Sequence, residues 1–505
     1  MGRATGSDLC LLTLLSVVLA LRLPSLAVAQ ANSLHSDTHR ALLQSSNGST
    51  CCSRLEAIGF SSPLPVVILD SSGQLIPHKV DTEITLCTCS PQDSNIQDYS
   101  GPARAAGRGS SSAKFDKKSY KLKTLGPDGK GLDFPLLGMP EDDDWILYGP
   151  EPDKTIGMRN YLAYNLARAS GRYATRTTYV EVFLLDDGEE LSMEHYNGVY
   201  IAQEKMKRGQ DRVDIKKLNP ENLSGGYLFV YDNDNIESGD VTFGPLEGFS
   251  DPFVLQEPNE FPPEEDPTGT WLFNYLKEFQ TALNNGDLNY TSYIDGPSFT
   301  DYFLLTELTK NPDGYRGSTY MHKDRDGPLA MGPAWDYDEA FGICCGYPIT
   351  GWDDLGQSGP GLSGGSAISP EGWRFNICDE PERCLIDPTD GVSIWYRTMW
   401  NTDERFKAGA AFRWNELRAS AWSNDAVQKI IDDARTAIDP AVARNFDKYA
   451  SALEVETGAN YEEIWQEEVS VMENWVMERL EWMDSQFSSS EGDEVETVTL
   501  SQSGR

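Results

Sequence analysis

Histidine and basic residues are both scarce in this chain. Its 505 residues include five histidines, which are His35, His39, His78, His195 and His322. This number argues against a site built from several histidines, such as most catalytic zinc centres. Lysine and arginine total 42 against 79 acidic residues, so the formal net charge is −37. Such a chain repels phosphate backbones and anionic lipid, which argues against nucleic acid as a partner.

Long apolar runs are lacking outside the N-terminus, and no internal repeat is visible. Leu11 to Leu21 form an apolar run that follows Arg3 and precedes small residues at Ala27 and Ala29. This order is typical of a secretory signal peptide. We predict a signal over residues 1–29 and a soluble mature protein that is secreted or held at the cell surface, without stable insertion in the membrane. A signal anchor is the alternative.

Cysteine usage agrees with secretion. Of nine cysteines, Cys10 lies in the predicted signal, and the other eight fall into two groups within 51–89 and 344–384. An even number in a secreted chain indicates disulfides. Their pairing cannot be read from the spacing, and a zinc site in the first group is the alternative. Three glycosylation acceptors fit the same route: Asn47, Asn222 and Asn289.

Composition and periodicity divide the chain into four segments. The signal is followed by a polar linker at 30–60, and an acidic tail at 488–505 has too little apolar content to fold. Between them, 61–487 reads as one α+β domain. Its N-terminal part is rich in predicted strands to about residue 235, and its C-terminal part, from about residue 236, is mainly helical.

The element predictions that matter for the site come from short patterns. Strands are predicted at 64–70, 80–88, 117–123, 177–185, 199–203 and 226–231, and helices at about 153–169, 268–284 and 298–310. Residues 318–331 read as a hairpin. Residues 98–116 are rich in Gly, Ser and Ala and are predicted to be a flexible loop, and Asn197-Gly198 to be a turn. One helical stripe is assigned to the core: Trp465, Val469, Met472, Val476, Leu480 and Met483.

The stretch 307–342 carries the clearest chemical pattern. Asp313 follows a predicted helix, and Asp336 and Asp338 follow the hairpin, 23 residues further on. Kinase-type phosphoryl transfer uses this order: one Asp orients the acceptor hydroxyl, and a second Asp after a hairpin chelates magnesium. Ser318 stands five residues after Asp313, where protein kinases place an Asn that helps hold a metal. The alternative is a solvated acidic turn.

Nucleotide phosphates also need a fixed cation. Arg108 lies in the Gly/Ser segment that precedes a lysine-bearing strand, which is the order of a kinase phosphate loop and its strand lysine. The candidate lysines are Lys117, Lys118, Lys121 and Lys123. Glu204 is predicted to orient the lysine, with an ordinary surface salt bridge of less than about 1 kcal/mol as the alternative.

Three other motifs in the sequence point to different chemistries. Gly361–Gly365 fits the G-x-S-x-G nucleophile motif, but no histidine follows His322, so we interpret it as a glycine loop. Asp232-Asn-Asp234-Asn lacks the spacing of an EF-hand, although weak calcium binding stays open. A glycosidase pair of carboxylates is not excluded by spacing.

Several short blocks follow one another in an order that resembles the CotH family, the spore-coat kinases and their secreted relatives. The resemblance covers roughly residues 64–485. The blocks are Leu64-Pro-Val-Val-Ile, Arg108-Gly-Ser-Ser, Lys117-Lys-Ser-Tyr-Lys-Leu-Lys123, Asp144-Trp-Ile-Leu, Asp153-Lys-Thr, Met158-Arg-Asn160, Gly198-Val-Tyr-Ile-Ala-Gln-Glu204, Gly225-Gly-Tyr227, Glu307-Leu-Thr-Lys-Asn-Pro-Asp313-Gly-Tyr and Gly332-Pro-Ala-Trp-Asp336-Tyr-Asp338-Glu-Ala-Phe-Gly342.

The resemblance implies an atypical protein-kinase-like fold that transfers phosphate from ATP to Ser or Thr of secreted or surface proteins and autophosphorylates. It implies ATP with Mg²⁺ or Mn²⁺ as cofactors, with Ca²⁺ as an alternative. Carried onto this sequence, the roles are catalytic for Asp313, metal-binding for Asp336, Asp338 and Ser318, and nucleotide-binding for Lys121 (or Lys118 or Lys123), Arg108 and Glu204.

Two departures from the family pattern keep a second hypothesis open. Ser318 replaces a stronger metal ligand, and Val230-Tyr231 stands where an acidic residue often follows the Gly-Gly-Tyr strand. A catalytically weak or dead surface protein that binds a partner, like an adhesin, is therefore the alternative to an active kinase.

Overall fold

The computed structural model describes residues 50–151, 153–232, 236, 239–259, 270–343, 369–376 and 391–488. Five sequence predictions lie outside these residues: the signal, the acceptor at Asn47, the cysteine group at 344–384, the glycine motif at 361–365 and nearly all of the acidic tail.

Seven strands of the N-terminal half close into a barrel in the order β1-β2-β3-β4-β5-β7-β6. Neighbouring strands pair antiparallel except β1 and β6, which pair parallel. Alternate residues such as Tyr120, Trp145 and Tyr200 fill the interior, as the two-residue period of strands requires. The strands are β1 Val66–Asp70, β2 Thr82–Cys89, β3 Ser100–Arg108, β4 Ser119–Thr124, β5 Asp144–Tyr148, β6 Thr177–Leu185 and β7 Tyr196–Glu204.

The flexible loop predicted at 98–116 is wrong for most of its length. The chain forms β3 there, hydrogen-bonded to β2 on one side and β4 on the other. Its small residues serve close packing: Ala103 and Ala105 are buried in the barrel core, and a Cβ added to Gly107 would lie 3.1 Å from the backbone of His78. A short 3-10 helix, Ser111–Lys114, follows β3.

The turn predicted at Asn197-Gly198 is also wrong, because both residues lie inside β7. The pairing of β7 with β6 shifts register between Glu181 and Phe183. Gly198 adopts φ +87°, and a Cβ there would meet Asn445 Oδ1 at 2.8 Å. An Asn-Gly pair supplies the left-handed conformation that a bulge needs as well as the one that a turn needs.

The segment predicted as a linker contains a helix, α1 (Cys51–Ala57), which begins after Thr50. The Thr50 side chain accepts a hydrogen bond from the Ser53 amide, as an N-cap residue does. Disulfides join Cys51 to Cys87 and Cys52 to Cys89. The disulfides predicted for the first cysteine group are thereby confirmed, and they fasten α1 to β2.

A second, five-stranded sheet has the order β12-β11-β8-β10-β9. The predicted hairpin is confirmed as β11 and β12, which pair with each other, while β11 also pairs with β8. The strands are β8 Tyr227–Tyr231, β9 Thr242–Phe243, β10 Phe253–Glu257, β11 Thr319–Lys323 and β12 Leu329–Met331.

Helices make up most of the rest, so the α+β prediction is confirmed. The stripe along the last helix is fully buried in the largest core cluster. None of the helices in the described ranges is long and apolar enough to cross a membrane. They are α2 Met158–Ala169, α3 Trp271–Asn284, α4 Gly296–Thr309, α5 Ser393–Thr402, α6 Glu404–Arg418, α7 Asn424–Ile438, α8 Val442–Tyr449 and α9 Tyr461–Ser488.

A buried lysine joins the barrel to α8. Lys117 is 1% exposed, its Nζ donates to Asn445 Oδ1 at 2.7 Å, and the ammonium lies over the rings of Tyr200 and Tyr449. Burial lowers the pKa of Lys117 to about 7 from 10.5. Lys117 therefore links the barrel to α8 and does not line the cavity described below.

Lys117→Met should make stability less dependent on pH. Between about pH 7 and 10.5 the unfolded chain holds a proton on Lys117 that the folded chain releases, so wild-type stability rises with pH by up to about 1.4 kcal/mol per pH unit. The methionine variant lacks this gain. Urea unfolding from pH 6 to 10 measures both slopes. Lys130→Met, at a lysine that is 83% exposed, is the control, and equal slopes in all three proteins would contradict the buried-lysine account.

Candidate functional site

A cavity of about 530 Å³ lies beside the outer face of the barrel and the second sheet. It brings together six of the eight residues predicted for the site, from β3, β4, the loop before β11 and the segment after β12. These six are Arg108, Lys121, Asp313, Ser318, Asp336 and Asp338.

Two of the acidic residues are held by hydroxyl groups. Ser318 Oγ donates to Asp336 Oδ2 at 3.1 Å, and the Tyr148 hydroxyl donates to Asp338 Oδ2 at 2.9 Å. Ser318 and Asp336 both have left-handed backbones, with φ of 46° and 64°. Such conformations cost about 1–3 kcal/mol each in non-glycine residues and concentrate at functional sites.

The cavity gathers negative charge. Burial, and then the charge of Asp313, raise the pKa of Asp336, while Arg108 opposes this rise. Burial, Asp336 and Glu339 raise the pKa of Asp338 well above its usual value. A divalent cation would relieve this repulsion. Carboxylate and hydroxyl oxygens are the donors that Mg²⁺, Mn²⁺ and Ca²⁺ prefer, so the residues present fit such an ion.

Helix α2 positions the backbone that carries these carboxylates. Asn160 Oδ1 accepts from the Tyr337 amide at 2.7 Å, and the Tyr164 hydroxyl accepts from the Asp336 amide at 3.2 Å. The two residues are four apart on α2 and therefore lie on one face of the helix. Asn311 Nδ2 donates to the Asp336 carbonyl at 2.9 Å. The block around Asn160 thus positions the segment that carries Asp336 and Asp338.

The loop that carries Asp313 is held by a buried arginine. Arg374 is 1% exposed. Its Nε donates to the Asn311 carbonyl at 2.6 Å, and its guanidinium also donates to the Pro312 carbonyl. These are the two carbonyls immediately before Asp313. Because both are fixed, the position of the Asp313 backbone depends on Arg374.

Glu307, at 0% exposure, is the centre of the same network. Its carboxylate accepts from the Tyr315 hydroxyl at 2.9 Å and from the backbone amides of Arg374 and Phe375. It also lies 3.7 Å from the guanidinium of Arg479 in α9, which is itself fully buried. Glu307 thereby connects three parts of the chain: the loop after α4, the 369–376 segment and α9.

The Gly/Ser segment forms the rim of the cavity. Gly109, Ser110 and Ser112 line it, together with Arg108, whose guanidinium lies 5.6 Å from the ring centre of Trp335. Lys118 points back into this rim instead of lining the cavity, with Nζ donating to carbonyls of the same segment. In this position the Lys118 ammonium holds the loop that follows β3.

Lys121 is the one candidate lysine of the four that lines the cavity, and all four lie in the described part of the chain. Its Nζ pairs with Asp81 at 2.8 Å, and the two side chains are 46% and 51% exposed. Lys123 pairs instead with Asp143 at 2.6 Å. The structure thus separates Lys121 from its neighbours by position.

Glu204 does not orient a lysine, and that prediction requires correction. Its fully buried carboxylate pairs with Arg176 and Arg212, each at 2.7 Å, and accepts from the Tyr173 hydroxyl at 3.1 Å. Strand alternation explains this arrangement. Gln203, the preceding residue, faces the outside of the barrel and lines the cavity, so Glu204 faces away from it.

Several lining residues escaped the sequence analysis, notably Asp232, Gln203 and Lys79. Asp232 follows β8 directly, and its Oδ1 accepts from the Ser318 amide at 3.0 Å. It supplies an acidic side chain directly after Val230-Tyr231, where the sequence analysis noted none. The acidic sequence Asp232-Asn-Asp234-Asn could have indicated this residue, but the sequence analysis considers it only as a calcium site.

A second acidic cluster, Asp142–Asp144, is a poor metal site. Its carboxylates lie close together, but Lys207 Nζ sits among them at 2.7, 3.1 and 2.9 Å. An ammonium group thus already holds the place that a cation would take.

Removing Asp81 should free Lys121. The exposed pair is worth less than about 1 kcal/mol. On the sequence prediction that Lys121 contacts a nucleotide phosphate, Asp81→Asn should tighten nucleotide binding by less than about fivefold. Nucleotide titration followed by tryptophan fluorescence measures this change. Asp128→Asn, which removes the partner of Lys130 outside the cavity, is the control. Weaker binding by Asp81→Asn would contradict a phosphate-contacting role for Lys121.

The fold and the cavity define the class: an α+β protein with an acidic, cation-compatible cleft flanked by a lysine-bearing strand. The family described as CotH kinase protein matches residues 105–483, well over half of the chain. The chain therefore belongs to this family, as the sequence blocks predicted. No curated protein matches it.

Proposed function

We propose that this protein is an atypical protein kinase with a kinase-like fold, secreted or held at the cell surface, that transfers phosphate from ATP to Ser or Thr. One observation carries the proposal. Three carboxylates from two separate segments, Asp313, Asp336 and Asp338, meet in one cavity with Lys121 and Arg108. Family membership and the disulfides of α1 support the phosphotransferase class and the extracellular location.

Each side chain has a distinct part in this proposal. Asp313 accepts a hydrogen bond from the acceptor hydroxyl and takes its proton as phosphate is transferred. Lys121 and Arg108 neutralise phosphate oxygens. Asp336, Asp338 and Ser318 are the residues that would hold Mg²⁺ or Mn²⁺, and such a cation would offset the negative charge of the phosphate oxygens.

Autophosphorylation is part of the proposal. Ser110 and Ser112 both line the cavity, and they belong to the rim that faces the nucleotide. Their hydroxyl groups are thus near the proposed site of transfer, and a phosphosite map of the purified protein should include this segment.

A catalytically weak binding protein is the second candidate, and Ser318 is the observation that favours it. A serine hydroxyl is a weaker metal ligand than the amide oxygen or carboxylate expected there, and this one already donates to Asp336. A weakened metal site would lower turnover while leaving the fold intact for partner binding.

Labelled ATP distinguishes the two candidates. The purified protein is incubated with γ-labelled ATP and Mg²⁺ or Mn²⁺, alone and with secreted protein substrates. Incorporation that is lost in Asp313→Ala supports the kinase. Asp128→Ala, at a side chain that is 62% exposed and outside the cavity, is the control for a general effect of acid removal. If no label is incorporated and ATP with metal causes no thermal shift, the kinase proposal fails and the binding-protein candidate is supported.

A further inference from the structure

One buried polar group in the cavity has no partner of its own. The side chain of Gln203 lines the cavity and is 2% exposed. No group in the described part of the chain donates a hydrogen bond to its Oε1. Leaving a buried amide oxygen unsatisfied costs about as much as a lost hydrogen bond. A group of this kind on a cavity wall indicates that a ligand donor completes it.

The barrel register places this amide relative to the phosphate-binding lysine. Lys121 pairs with Ile146, and Ile146 pairs with Gln203. Directly opposed residues on neighbouring strands project to the same face, so Lys121 and Gln203 share the outer face of the barrel, two strand spacings or about 10 Å apart. The phosphate and base ends of an extended nucleotide are separated by a comparable span.

The chemistry of an amide selects among bases. Its oxygen accepts and its nitrogen donates, a pair that matches the amino group and adjacent ring nitrogen of adenine. The oxygen is the buried atom of this amide that lacks a partner, so an amine donor on the ligand is the group that relieves it. Adenine offers an exocyclic amine at ring position 6, whereas guanine offers a carbonyl there.

We propose that Gln203 recognises the 6-amino edge of adenine, so that this site selects adenosine nucleotides over guanosine nucleotides. The inference rests on the proposed function and adds a specificity-determining residue to it. With the phosphates at Lys121 and the base at Gln203, the nucleotide lies across β4, β5 and β7.

Binding of ATP and GTP, each with Mg²⁺, tests the proposal in wild type, Gln203→Met and Gln203→Glu. Wild type should prefer ATP by roughly 5- to 150-fold, the discrimination typical of a paired amide contact. Gln203→Met should lose that preference through weaker ATP binding alone. Gln203→Glu keeps an acceptor for the amine and should retain part of the preference.

Thermal unfolding without ligand gives an independent readout. Because the Gln203 oxygen is unsatisfied, Gln203→Met should leave the unfolding temperature unchanged or raise it. Thr177 is the matched control, since it pairs with Gln203 across β6 and β7 and also has a buried, unpartnered hydroxyl. Thr177→Val should be equally tolerated and should leave the ATP preference intact.

Three results would overturn the inference. These are equal affinity of wild type for ATP and GTP, an equal loss of both affinities in Gln203→Met, and a marked fall in its unfolding temperature. In each of them ATP binding by wild type persists, so the proposed function survives. If wild type binds neither nucleotide, the proposed function fails and this inference fails with it.

Discussion

Asp336→Asn is expected to abolish metal-dependent nucleotide binding and, with it, phosphate transfer. The substitution removes one of the charged oxygens that would hold the cation and leaves one carboxylate, Asp338, and the neutral hydroxyl of Ser318. In the metal-free protein the same substitution is expected to stabilise the fold. Loss of a carboxylate that is partly buried and repelled by Asp313 should raise the unfolding temperature. Calorimetry with and without Mn²⁺ measures both effects.

Asp313→Asn provides the contrast. A residue that orients the acceptor hydroxyl contributes to turnover and little to nucleotide affinity, so this variant should bind metal and ATP almost normally and transfer phosphate about 10²–10⁴ times more slowly. Tryptophan fluorescence, with Trp335 beside Asp336, reports binding. If both variants lose nucleotide affinity equally, or if neither loses transfer, the two roles are assigned wrongly.

Glu307→Ala is expected to cost about 3–5 kcal/mol in the free energy of unfolding. Removing one partner of a buried ionic network leaves the others charged and unpaired, and Arg479 is fully buried beside Glu307. The same carboxylate accepts hydrogen bonds from the backbone amides of Arg374 and Phe375. Because Arg374 holds the carbonyls before Asp313, phosphate transfer should fall as well. Urea unfolding and the transfer assay measure the two losses.

The controls for this prediction come from within the chain. Glu404→Ala removes the exposed partner of Lys407 and should change stability by less than about 0.5 kcal/mol. Glu307→Gln keeps the shape and one acceptor, and it should lose less stability than the alanine variant. A stability change in Glu307→Ala no larger than that in Glu404→Ala would refute the network.

The chemistry of the candidate site was largely readable from the sequence, because its carboxylates come from one compact stretch. Asp313, Asp336 and Asp338 are separated by a hairpin whose turn residues predict it, and a hairpin returns the chain to where it began. Ser318 and the strand with Lys121 follow from the same local patterns. The structure places all of these residues on one cavity.

The supporting contacts were not readable, since they join positions far apart in the chain. Arg374 holds the carbonyls before Asp313 across 62 residues or more, and Asn160 holds the Tyr337 amide across 177. No local pattern encodes such contacts. The error at Glu204 has a different origin. A strand alternates its faces, and without the register either Gln203 or Glu204 was free to face the cleft.

The attachment of α8 to the barrel restricts how the cleft can open. Asn445 accepts from both Lys117 Nζ and the Val199 amide, and Arg444 pairs with the buried Glu181 at 2.9 Å. Helix and barrel therefore behave as one body, and a wide hinge motion between two lobes would break these contacts. In the proposed kinase, the short rim that follows β3 would then give way when a nucleotide enters or leaves the cleft, in place of a moving lobe.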